Sequence, residues 1–230
     1  MAIDKKILWI GLLITTLIFI TIMFLNFFVN NEREMAVIER MDKVVEDYEE
    51  MQSLLLMSDF FGEEATCDAL STMLSNMNKE LWELGIKIDA YRQVTEEFMK
   101  DPFYLDQKRK FNRKEVLYFT MFKKMKEICD VDQTIVSYFY RKKDYCPDCD
   151  AQSFVLGDIK RDLNKKKDYN LAIFSFDTDL GLSSISILVR YYNITSYPCT
   201  VIGDNPHCGL YNKESMVDLL CESNDLAICP

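Results

Sequence analysis

The sequence predicts an α/β domain at the C-terminal end of the chain, its elements ordered β-α-β-α-β-β-α, behind an α-helical spacer region and one N-terminal transmembrane helix. Three observations predict this. An uncharged, mostly apolar run fills residues 7–29. Between residues 37 and 125, apolar residues recur at three- and four-residue steps among charged ones, the period of helices with one buried face. From Thr134 onward, short continuous apolar runs alternate with helical patterns, as strands alternate with helices. The parts are residues 1–6 as a cytoplasmic N-terminus, 7–29 as the transmembrane helix, 30–132 as the helical region and 133–230 as the α/β domain.

The first run has the length that crosses ~30 Å of hydrocarbon as a helix, roughly 20 residues. A cleaved signal peptide has a shorter apolar core and small residues at its cut site; Asn26-Phe27-Phe28-Val29 offers none. Lys5 and Lys6 precede the run, and Glu32, Arg33 and Glu34 follow it. The positive-inside rule then places the N-terminus in the cytoplasm and everything after the span outside, in a single-pass arrangement.

After residue 30 the chain carries 36 acids against 25 Lys and Arg, a net charge of −11. That balance argues against a nucleic-acid partner. Eight cysteines in an external segment suit an oxidising compartment in which disulfide bonds persist.

Val37, Met41, Val44, Tyr48, Met51 and Leu55 form the apolar face of a first helix. Its seam is close to a heptad over residues 35–55, so a homodimeric stalk stands beside packing on its own domain. A second helix begins near Thr66, with Leu70, Met73, Leu74, Met77, Leu81 and Leu84 on one face. Asp101-Pro102 breaks the pattern. A third helix runs from about Asn112 to Cys129 through Val116, Phe119, Phe122 and Met125. Cys67 and Cys129 fall at opposite ends of the second and third helices, and antiparallel packing would bring them together as a disulfide staple.

In the α/β domain, "TIVSYFY" and "NLAIFSF" read as buried strands. Val155, Leu156, Ile159 and Leu163 mark the helix between them, and Ile185, Leu188, Val189 and Tyr192 the next. "PCTVIG", a turn at "GDNP" and "HCGLY" form a hairpin before a last helix from Lys213 to Cys221. Between the first strand and its helix stands "YCPDC", with Cys146 and Cys149 two residues apart.

This order of elements, "YCPDC" ahead of the first helix and "SYPCTVI" ahead of the hairpin resemble the thioredoxin superfamily over residues 133–222. The resemblance implies a redox-active CxxC dithiol and thiol–disulfide exchange with partner proteins through transient mixed disulfides, with no cofactor. Cys146, at the solvent-facing start of the helix, would attack, and Cys149, one turn further in and less exposed, would resolve. Placing Cys146 at a helix N-terminus favours its thiolate. The resemblance also implies a cis Pro198 facing the dithiol, with the backbone of Tyr197 pairing with an extended substrate. The acid that typical thioredoxins bury on the first strand has Ser137 as its nearest match. Asp148, between the cysteines, opposes thiolate formation, and Arg141, Lys142 and Lys143 would oppose Asp148.

Two other readings stand beside this one. A redox-inert domain of the same fold would serve as a binding or scaffold module. A copper or zinc carrier would use Cys146 and Cys149 with Cys199 or Cys208, although no second CxxC and no second histidine beside His207 exists, so no metal site is expected. Cys199, Cys208, Cys221 and Cys229 allow three connectivities, among which Cys208 with Cys221 or with Cys229 is the expected choice. Cys199 is then free near the dithiol or paired with the tail.

Overall fold

The computed structural model describes residues 5–92, 102–129, 133–142, 144–222 and 225–229. It divides into two compact units, Met1–Lys43 and Val44–Pro230.

Helix α1 runs unbroken from Lys5 to Phe61. The span and the amphipathic stretch, read from the sequence as separate helices, are therefore one, because no Gly or Pro interrupts residues 12–61. Gly62, at φ +90°, ends it, a backbone angle that other residues adopt only with strain. Within α1, Trp9–Val29 has a mean hydropathy of 2.5 and is long and apolar enough to cross a membrane. Thr15 and Thr16 donate their hydroxyls to the Leu12 carbonyl at 2.9 and 2.8 Å. Thr21 donates to that of Leu17 at 2.8 Å. These polar groups are thereby satisfied within the helix, as hydrocarbon requires. Along the expected heptad seam, the side chains of Val37, Met41, Val44, Tyr48 and Leu55 lie outside the described residues; Met51 is fully buried.

In the second unit, α2 spans Glu63–Arg92 and α3 spans Pro102–Cys129. Helix α3 starts ten residues before the expected Asn112. Pro102 opens the helix, as proline's fixed φ and missing N–H allow at a first helical position. The Cys67–Cys129 disulfide joins the two helices, with 5.4 Å between Cα atoms.

The strands are β1 (Thr134–Tyr140), β2 (Leu171–Asp177), β3 (Cys199–Ile202) and β4 (Asn205–Cys208). They form one mixed sheet in the order β2-β1-β3-β4. β1 and β2 are parallel, whereas β3 is antiparallel to both β1 and β4. The helices between and after them are α4 (Cys149–Lys165), α5 (Ser183–Tyr191) and α6 (Lys213–Cys221). The element order thus agrees with the sequence pattern, apart from a single 3₁₀ turn at Thr178–Leu180.

Both faces of the sheet are covered. On one, Val136, Tyr138 and Ile202 pack with Leu156, Ile159 and Leu163 of α4 and with Met216 and Leu220 of α6. On the other, Phe174 of β2 meets Tyr118, Phe119 and Phe122 of α3 with ring centroids 5.4–5.9 Å apart. Phe139 meets Phe176 at 5.2 Å and Tyr192 at 6.1 Å. Aromatic contacts at such spacing add specificity to the area they bury.

The helical region is not set apart from this sheet. β2 is an edge strand, and its outward amides find acceptors on α3. Ser175 N–H donates to Glu115 Oε1 at 2.5 Å and Asp177 N–H to Asn112 Oδ1 at 2.9 Å. Lys108 pairs with the Asp177 carboxylate. Positions 108, 112 and 115 share one helical face, so α3 closes an edge that would otherwise offer itself to another chain.

Candidate functional site

β1 ends at Tyr140, and the chain then turns before entering α4. The turn is closed by its own backbone: Tyr145 and Cys146 N–H both donate to the Lys142 carbonyl, at 2.9 and 3.0 Å. Cys149 N–H donates to the Cys146 carbonyl at 3.3 Å. The geometry brings the two sulfurs together, and Cys146 and Cys149 form a disulfide.

Two expectations are corrected here. Cys149, not Cys146, is the first residue of α4, and Asp148 is its N-cap residue. The disulfide nevertheless holds the Cys146 sulfur at the helix N-terminus, where the dipole favours negative charge. Nor is Cys146 the more exposed of the two: each is 2% exposed, since the same turn that joins the sulfurs folds both inward. What differs is their setting. Cys149 Sγ accepts the Arg141 N–H at 3.5 Å, and its carbonyl accepts the Tyr138 hydroxyl at 2.5 Å.

Arg141 does not face Asp148. Its guanidinium pairs with Asp179 at 2.8 Å and lies over the rings of Tyr145 and Tyr197, 4.7 and 5.9 Å from their centroids. Lys142 gives its backbone N–H to the same Asp179 carboxylate at 2.8 Å. Lys143 lies outside the described residues. Arg141 is thus neutralised by Asp179, whereas the start of α4 favours a thiolate.

Tyr197 and Pro198 come to this place through strand register. Cys199 stands opposite Phe139 on β1, so the antiparallel pair, continued, sets Pro198 against Tyr140 and Tyr197 against Arg141. The Tyr197–Pro198 peptide is cis, as the resemblance implies. Pro198 is buried and Tyr197 half-buried.

The C-terminal cysteines pair otherwise than expected. Cys199 bonds Cys208, and Cys221 bonds Cys229. The register explains the first pair: Ile202 faces Asn205 across a two-residue turn, so Cys199 and Cys208 stand directly opposite. A two-residue loop at Gly203-Asp204, inside the recognised turn, was the signal in the sequence that would have found it. All eight cysteines are thus in disulfides. Among the described residues, no group of three or more His, Cys, Asp and Glu could hold a metal ion. The ligands a metal carrier would add to the dithiol, Cys199 and Cys208, are joined to each other.

Behind the dithiol lies a cavity of about 160 Å³ between α2, α3, α4 and the strand pair β1–β2. Cys149 and Tyr140 line it, as do Lys108 and Glu115 of α3. Ser137 is buried and supplies no carboxyl, whereas Glu115 of α3, itself buried, carries one in the cavity lining. Burial pushes that group up to about 8, against the pull of the Ser175 amide and the Lys108 ammonium. Sequence reasoning missed Lys108, Asn112 and Glu115, whose helical spacing beside Phe111 and Phe119 was the available sign of a buried polar face.

Compared with known proteins, the chain finds no match: no family model, no curated protein and no solved structure is similar enough to place it in a family.

Proposed function

We propose that this protein is a membrane-anchored thiol–disulfide oxidoreductase with a thioredoxin-like domain, exchanging disulfides with partner proteins through Cys146 and Cys149. The observation that carries this reading is the Cys146–Cys149 disulfide, closed across the start of α4 immediately after a central strand. The element order and the cis Tyr197–Pro198 peptide beside the same turn support it.

In the reducing direction, the Cys146 thiolate attacks a partner disulfide and forms a mixed disulfide, releasing one partner thiolate. Cys149, deprotonated, then attacks Cys146 Sγ. The second partner sulfur leaves as a thiolate, and the Cys146–Cys149 disulfide remains. The partner has gained two electrons and two protons; the reverse sequence oxidises it. Sulfur carries both electrons throughout, so the exchange needs no cofactor. Tyr197, over the Arg141 guanidinium, offers its backbone to an extended partner segment.

Titration of the full chain in detergent micelles against a glutathione redox series tests the reading. We expect Cys146–Cys149 to interconvert at an accessible poise while the other three disulfides persist. A Cys146–Cys149 bond resistant to every poise makes the domain an inert scaffold.

The reading includes a topology, from Lys5 and Lys6 before the span and Glu32, Arg33 and Glu34 after it: the N-terminus inside, the sheet outside. Protease added to intact cells is expected to digest the part after residue 30. Protection of that part until the membrane is opened reverses the topology.

A further inference from the structure

The 3₁₀ turn at Thr178–Leu180 grips three consecutive residues where β1 ends. Thr178 Oγ1 donates to the Tyr140 carbonyl at 3.1 Å. Asp179 Oδ1 accepts from Arg141 Nε at 2.8 Å, and its Oδ2 accepts the Lys142 backbone N–H at 2.8 Å. The turn is itself fixed from beneath. Asp177 Oδ1 accepts the Asp179 N–H at 2.9 Å, and Asp177, 1% exposed, is paired with Lys108 of α3.

Both sulfurs depend on the backbone held in this way. The Lys142 carbonyl accepts the Cys146 N–H at 3.0 Å, and the Arg141 N–H donates to Cys149 Sγ at 3.5 Å. A disulfide sulfur is a weak acceptor, whereas a thiolate is a charged one and makes a stronger bond to the same donor. A hydrogen bond to the charged form favours ionisation. An Arg141 amide already aimed at Cys149 therefore does more for the reduced sulfur than for the disulfide.

We propose that Asp179 is a positioning residue for the dithiol: by holding the Arg141 side chain and the Lys142 amide it fixes the Arg141 N–H on Cys149 Sγ and favours the Cys149 thiolate. Its charge has the opposite effect. A carboxylate opposes a nearby thiolate, and its removal also frees the positive charge of Arg141, so placement and field call for shifts of opposite sign. The use of that thiolate in resolving a mixed disulfide rests on the exchange proposed above, whereas its ionisation is measured without any partner.

Cys146→Ser in the full chain in micelles leaves Cys149 as the free thiol, the other six cysteines being in disulfides. Its titration is read by NMR from the Cβ shift of Cys149 in protein carrying labelled cysteine. Adding Asp179→Ala should raise the midpoint by about one pH unit, a loss of about tenfold in thiolate, the worth of a hydrogen bond to a charged group. Asp179→Asn removes the same charge but keeps a side-chain oxygen for the Lys142 N–H, and should not raise it. With Asp179 intact, the Arg141 amide proton should move downfield with the same midpoint as Cys149, as its acceptor gains charge. A fall or no change in Asp179→Ala, or an equal rise in Asp179→Asn, overturns the proposal. So does an Arg141 amide that fails to follow Cys149, a measurement that stands even where Asp179→Ala does not fold. The expected shifts beside a dithiol that resists every glutathione poise would uphold the positioning and remove the exchange.

Discussion

Replacing Cys149 with Ala is expected to leave partner proteins covalently attached to Cys146, visible as bands on a non-reducing gel that collapse with reductant. The proposed exchange divides the labour between the two sulfurs. Cys149 opens α4, and its sulfur is held beneath the Arg141 amide; the Cys146 sulfur sits at the same helix start but belongs to the preceding turn. Under the proposed exchange, removing Cys149 removes the intramolecular nucleophile that would release the partner, and a mixed disulfide would persist until an outside thiol arrives. Replacing Cys146 removes the group that forms the bond, so turnover and adducts should both vanish. These are losses of nearly all activity, not modulations. Adducts absent from Cys149→Ala in the native compartment, with dithiol turnover intact in Cys146→Ala, would leave the domain as a scaffold.

The second large effect concerns stability and pH. Burial raises the Glu115 carboxyl from 4.5 to about 8, so between these values the folded protein holds a proton that the unfolded chain has released. Stability from this group is fully present below about 4.5, falls as pH rises, and is lost once pH passes about 8. The difference is on the order of 4 kcal/mol across the window. Lys160 titrates on the other side: burial lowers it from 10.5 to about 8, so its contribution is lost as pH falls through that range and is constant below it. Glu115→Gln keeps the acceptor for Ser175 and cannot ionise. Urea unfolding at pH 5 and pH 8, disulfides intact, is therefore expected to show a fall in the wild-type midpoint that the variant lacks. An equal fall in both assigns the pH dependence elsewhere.

Much of the molecule is legible in the residues alone. The apolar span, the order of strands and helices after Thr134, and the Cys67–Cys129 bridge follow from local patterns, because period, charge and helix ends are written in neighbouring residues. The adjacency of Cys146 and Cys149 needs only a turn to join them. The cis Tyr197–Pro198 peptide was reached by resemblance.

What the sequence left open depends on register and on burial, which no local pattern sets. Four C-terminal cysteines permit three pairings; the hairpin register, Ile202 against Asn205, decides for Cys199–Cys208. Local reading treated Cys146 as exposed, but the fold of its turn buries it as deeply as Cys149. Lys108, Asn112 and Glu115 look like a solvated helix face, since charged and amide side chains ordinarily face water. Only the sheet order, with β2 at an edge whose amides lack a strand partner, makes that face an inward one. The burial that follows also sets the protonation of Glu115. A residue's chemistry is fixed by its type, but its charge state and its partner are fixed by what the fold brings against it.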